Sequence, residues 1–102
     1  MIGDETGGLV LDATTILAHS DRAVFERSGE SVFLLDLGTG GYFHLDEVSA
    51  FAWERMDGRR ELAAIAREMA SRWGEEEPRV LGDLLAFAGS LLDAALARRV
   101  EP

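Results

Sequence analysis

Apolar positions in this chain change their period part-way along it. Up to residue 45 they alternate or run in short blocks, and beyond residue 46 they recur every three or four positions. A period of two belongs to strands and a period of 3.6 to helices, so strands come first and helices follow. Residues 14–19 begin with β-branched side chains and read as a short strand. Residues 23–26 either continue it or form a separate strand after a turn at Ser20-Asp21. Ser28-Gly29-Glu30 is a turn, and residues 31–37 read as a strand buried on part of both faces. Leu37-Gly38-Thr39-Gly40-Gly41 is a hairpin loop, because its glycines can take the positive φ angles such turns need. Residues 42–45 form the return strand. Its alternation places Phe43 and Leu45 on one face, taken as the core side, and Tyr42 and His44 on the other.

Asp46 is an N-cap, with Glu47 at the positive end of the helix dipole. Val48, Phe51, Ala52 and Met56 then recur at helical spacing until Asp57-Gly58 ends that helix. A second helix runs from about residue 60 to 73 on a stripe of Leu62, Ile65, Ala66, Met69 and Trp73, and Gly74 stops it. An acidic connector, 75–78, leads to a third helix over about 79–98. Its stripe is Leu81, Leu84, Leu85, Ala88, Leu91, Leu92 and Ala95. The fold class expected is α+β and winged helix-turn-helix-like, with a small three-stranded antiparallel sheet followed by three helices. A loose N-terminal tail over 1–13 precedes a single domain over 14–99.

Composition narrows the function. At 102 residues the chain suits one domain. Nineteen acidic residues against ten arginines give a formal charge of −9, and no basic run exceeds two residues. Nucleic-acid binders present a basic footprint to phosphates, so duplex DNA and anionic membranes are poor partners. Cysteine is absent, which excludes disulfides and thiolate metal sites. Residues 1–14 lack both the basic start and the apolar stretch of a secretory signal, and the longest apolar region, 84–97, is too short to span a bilayer. The expected location is the cytoplasm.

Candidate chemistry is sparse. The glycine loop at 37–41 lacks the Gly-Lys-Ser/Thr ending of a phosphate cradle, and the chain has no lysine. His44, Asp46 and Glu47 fall short of the three placed ligands that catalytic zinc needs, since His19 is the only other histidine. No Gly-X-Ser-X-Gly elbow occurs. Neither a catalytic residue, a metal nor a cofactor is expected. Trp53 and Trp73 read as core, and Tyr42 as an outward surface residue. The third helix is the informative element. Its apolar arc spans roughly 160° at about 100° per residue. Val80, Phe87 and Ala94 lie on one edge of that arc beside Leu84 and Leu91, and Asp83 and Ser90 flank it. Such an edge next to an open strand makes a peptide groove, where main-chain pairing supplies affinity and pockets supply specificity.

An ordered set of these segments resembles the PqqD-like family. The set is the apolar strand ending in Asp36, the Gly38-Thr39-Gly40 turn and Tyr42-Phe43-His44-Leu45-Asp46. It continues with Trp53-Glu54, Asp57-Gly58, and Asp83-Leu84 with Phe87. The resemblance covers about 16–98. Two departures stand out. Ser49 occupies a position where many relatives have glycine, and Ala97-Arg98-Arg99 replaces the common glycine-apolar ending. Members of that family, the RiPP recognition elements, resemble winged helices but bind peptide. The resemblance implies non-catalytic recognition of the leader of a ribosomally made precursor. The leader would add as a strand beside the third strand and pack on the third helix. The expected peptide-binding residues are Gly41, Tyr42, Phe43, His44, Leu45, Asp83, Leu84, Phe87, Ser90 and Leu91. The chain's size is similar to the discrete recognition proteins of split lasso-peptide systems, which work with a separate leader peptidase. The near alternative is a PqqD-type partner of a radical-SAM enzyme. A winged-helix DNA-binding regulator and a scaffolding subunit are the alternatives of other classes.

Overall fold

The computed structural model describes residues 11–101. In chain order they form β1 (Ile16–His19), β2 (Ala23–Ser28), β3 (Ser31–Asp36), β4 (Tyr42–Leu45), α1 (Glu47–Arg55), β5 (Asp57–Glu61), α2 (Leu62–Trp73), α3 (Glu77–Asp93) and β6 (Ala97–Arg99). The strands make two antiparallel three-stranded sheets, ordered β5-β1-β6 and β2-β3-β4. The class is therefore α+β with three helices, as the periodicity implies, but the expected single sheet ahead of all helices is corrected. β5 sits between α1 and α2, and β6 follows α3.

Both unexpected strands lack a strand's apolar alternation. β5 reads Asp-Gly-Arg-Arg-Glu and pairs with β1 through its backbone alone, with most of its side chains in solvent. Gly58 takes φ 84°, and an added Cβ there would meet the Ala18 Cβ at 3.5 Å. Asp57-Gly58 thus ends α1 and also opens a strand that must lie close to β1. The third helix stops at Asp93, five residues before the expected end, without a glycine to mark it. Ala95 adopts φ 61°, and the Leu96 N–H donates to the Leu91 carbonyl at 2.9 Å. A left-handed non-glycine residue costs about 1–2 kcal/mol, and here it turns Leu96 and Ala97 into the core. Ser20 holds that turn from β1's end, its Oγ donating to the Ala95 carbonyl at 2.7 Å. The same helix begins two residues early, because Pro78 is tolerated in a first turn, where its missing N–H has no partner to lose.

Two other local expectations hold, the Asp46 cap and the Gly74 stop. Asp46 Oδ1 accepts from the Ser49 N–H at 2.9 Å, capping α1. Gly74 ends α2 in the left-handed conformation. β1 starts at Ile16, two residues later than expected, because Asp12 gathers Thr14 and Thr15 into a turn. Of the expected tail, residues 1–10 lie outside the described residues. Leu11 packs against the core, and the Ala13 carbonyl accepts from the Ala63 N–H at 2.9 Å.

The core gathers Leu17, Val32, Leu34, Trp53, Met56, Leu62 and Ile65, all fully buried. Trp53 joins the two sheets. His19 from β1 stacks on it at 3.8 Å, Phe25 from β2 meets it edge-on at 5.5 Å, and His19 Nε2 donates to the Trp53 carbonyl at 2.7 Å. α2 and α3 pack along their stripes, and α1 lies over β3 and β4. α1's first turn is thereby placed directly after β4, which ends its sheet among the described residues.

Candidate peptide-binding site

Among the described residues, β4 pairs with β3 on one side and ends its sheet on the other. Its outward groups follow from the register. Val32, Phe33, Leu34 and Leu35 face Leu45, His44, Phe43 and Tyr42. At the loop end the Asp36 N–H donates to the Gly41 carbonyl at 2.8 Å. Bonded and non-bonded pairs alternate in an antiparallel ladder. Phe43 and Leu45 therefore turn their main-chain groups to β3, while Tyr42 and His44 turn theirs to the open side. That leaves two N–H and two C=O groups for an added strand.

Asp36 holds the loop that aims this edge. Its carboxylate is buried and accepts from the Gly38 N–H at 2.8 Å, from Thr39 Oγ1 at 3.0 Å, and from Arg22 Nε and Nη2 at 3.1 Å each. Burial alone would raise its pKa. The Gly38, Thr39 and Arg22 hydrogen bonds together with the Arg22 charge outweigh burial and bring the carboxyl below its ordinary value.

The side chains of β4 divide by face. Leu45 is 8% exposed and joins the core, as expected, while Phe43 on the same face stays 43% exposed. Tyr42 and His44 lie on the outer face against Phe33, at ring separations of 5.8 and 5.0 Å. Gly41 precedes the strand, where an added Cβ would crowd Thr39 and Phe43.

Beyond Leu45 the surface is hollow. Two cavities open between the start of α1, the end of α2 and the first half of α3. The larger, of about 310 Å³, is lined by Val48, Met69, Trp73, Val80 and Asp83, with Glu75 and Arg79 at its mouth. The smaller, of about 100 Å³, is lined by Val48, Ser49, Ala52, Met69, Leu84 and Phe87, again with Asp83.

The expected site residues thus fall into three groups. Gly41 to Leu45 form the edge. Asp83, Leu84 and Phe87 wall the smaller cavity, with Leu84 buried and Phe87 half-buried. Ser90 and Leu91 lie further along α3 and line neither cavity. The Ser90 hydroxyl donates back to the Ala86 carbonyl at 3.2 Å, and Leu91 is core. Sequence reasoning missed Val48, Met69 and Trp73, which it had assigned to helix stripes as packing residues. For Val48 and Trp73 the signal available was position: they lie in the first and last turns of their helices, where a stripe runs out of partners, whereas Met69 is a buried core residue with no such signal. Among the described residues no cluster of His, Asp or Glu could hold a metal ion. No helix among them is long and apolar enough to cross a membrane.

The family model for coenzyme PQQ synthesis protein D (PqqD) matches residues 31–97. That span runs from the first residue of β3 to the first residue of β6, so it takes in β4, all three helices and both cavities. Among solved structures, the chain is similar to TbiB1 in complex with the TbiA(beta) leader peptide. The two are 28% identical with a TM-score of 0.74, and the match covers 79% of this chain and 94% of that one. No curated protein matches the chain.

Proposed function

The chain belongs to the PqqD family, and on that footing we propose that it is a non-catalytic RiPP recognition element. It binds the leader segment of a ribosomally synthesised precursor and presents it to a separate leader peptidase or modifying enzyme in the cytoplasm. The leader adds as a strand to β4, pairing with the outward groups of Tyr42 and His44. Apolar leader side chains leave the sheet past Leu45 and pack on Leu84 and Phe87. The frame is winged-helix-like, put to peptide rather than DNA.

The observation that carries this reading is the open, aromatic edge of β4 beside an apolar hollow, in a chain whose relative TbiB1 holds a leader peptide. Strand addition suits a flexible partner, because main-chain bonds offset part of its ordering cost. A charge of −9 opposes phosphate contacts. The product class proposed is a lasso peptide. A second reading within the same mechanism is a peptide chaperone for a radical-SAM enzyme; the matching family model is named for coenzyme PQQ synthesis.

Anisotropy titrations test the reading. Labelled leader peptides, taken from short precursor genes beside this one, are expected to bind at physiological salt, and labelled duplex DNA is not. Proline at His44 removes an outward N–H without breaking the β3 ladder, so it should weaken peptide binding far more than alanine does. Salt-sensitive DNA binding with no peptide binding would overturn the proposal.

A further inference from the structure

The two cavities share Val48, Met69 and Asp83 as walls, so they lie side by side and make adjoining parts of one hollow. The larger part lies at the lower end of ligand-sized pockets and is floored by Met69, Trp73 and Val80. Three charges stand at its rim. Glu75 and Arg79 face one another at 4.0 Å and offset each other. Asp83 makes no side-chain hydrogen bond or ion pair among the described residues, and it borders both cavities. An unpaired carboxylate on an apolar wall repels an acidic side chain. It favours lysine or arginine, whose aliphatic stem lies along the wall while the charged head reaches the rim.

We propose that this hollow is a specificity subsite for leaders in which a bulky apolar residue is closely accompanied by a basic one. The apolar side chain seats against Met69, Trp73 and Val80, and the basic group pairs with Asp83. The inference rests on the leader-binding reading, because the wall of the hollow begins three residues beyond the end of β4. Leu45 ends that strand, and only Asp46 and Glu47 separate it from Val48, the wall common to both cavities. The chain's overall negative charge attracts any basic peptide at long range. Asp83 adds a positional requirement: the basic residue must stand at a fixed spacing from the apolar one.

Panning a phage-displayed library of random peptides against the intact domain tests this, with Asp83→Asn, the charge reversal Asp83→Lys, and Asp21→Asn. The last removes the same charge at an exposed turn remote from the hollow. Wild type and Asp21→Asn should enrich peptides with lysine or arginine at one spacing from an aromatic or aliphatic residue. Asp83→Asn should lose that spacing, and Asp83→Lys should replace the basic residue with an acidic one. A selected peptide should bind Asp83→Asn about fivefold more weakly, the scale of a partly exposed charge pair. Enriched peptides with no basic preference, or with the same preference in Asp83→Asn, would overturn the subsite and leave leader binding standing. Failure to enrich any peptide would overturn the leader-binding reading itself.

Discussion

The two sheets of this domain treat their open edges in opposite ways. In β5-β1-β6 one edge carries Asp57, Arg59, Arg60 and Glu61, and the other carries Arg98 and Arg99. An incoming strand would have to desolvate those charges, which is how sheets discourage pairing with foreign chains. In β2-β3-β4 the β2 edge carries Glu26 and Arg27, whereas β4 reads Tyr-Phe-His-Leu. Of the four edges described, β4's is the one without an aspartate, glutamate or arginine. The first sheet buries its central strand through Leu17 and Ala18 and keeps its rims charged. The second sheet exposes aromatic rings, with Tyr42 at 66% and Phe43 at 43%. Both sheets contribute to the core, the second through Val32, Leu34 and Leu45, but only the second also presents an uncharged strand at its edge.

Truncations should separate these roles, starting with the largest effect. Leu17→Ala, at the buried centre of the first sheet, should cost about 2–5 kcal/mol in denaturant melts. Tyr42→Ala, on the outer face of the second, should stay within about 1 kcal/mol of wild type. Comparable costs at the two positions would break the division.

Phe87 sharpens it further. A wholly buried phenylalanine costs about 3–5 kcal/mol on truncation, but Phe87 is half-buried and lines the smaller cavity. Phe87→Ala should lose clearly less stability than that and remain folded at room temperature. Peptide binding should weaken at least about tenfold, or about 1.4 kcal/mol, as expected for an anchor. Melts and titrations on one sample check both parts. A folded variant that binds normally would remove Phe87 from the site.

The smallest effect concerns pH. The Asp36 carboxyl titrates below its unfolded value, so its contribution is complete above about pH 4 and is lost as pH falls through the lower folded value. The Arg22 partner is substantially exposed, which screens its share of the effect. Melting temperatures below about pH 4 should therefore fall less steeply for Asp36→Asn than for wild type. An unchanged slope would mean that the hairpin loop does not depend on this charge.

The elements with a regular apolar period were legible in the sequence. The return strand, the Asp46 cap, the Gly74 stop and the burial of Trp53 all follow from local chemistry. β5 and β6 were not legible, because their strand character comes from β1's backbone rather than from their own side chains. The early end of α3 was hidden for a related reason. Ala95 accepts a left-handed conformation that sequence normally advertises with glycine, and the burial of Leu96 and Ala97 compensates for it. Asp83, Leu84 and Phe87 could be read as one helix edge. The hollow they border could not, because it forms where the ends of three helices meet, and no periodicity records where those ends lie relative to one another.

Amide hydrogen exchange, residue by residue across β4, tests strand addition most directly. In the free domain the Phe43 and Leu45 amides, bonded to β3, should already be protected, while the Tyr42 and His44 amides exchange freely. Saturating leader peptide should slow exchange at Tyr42 and His44 and leave Phe43 and Leu45 little changed. A peptide that binds tightly while Tyr42 and His44 keep exchanging at their free rates would contradict pairing at this edge.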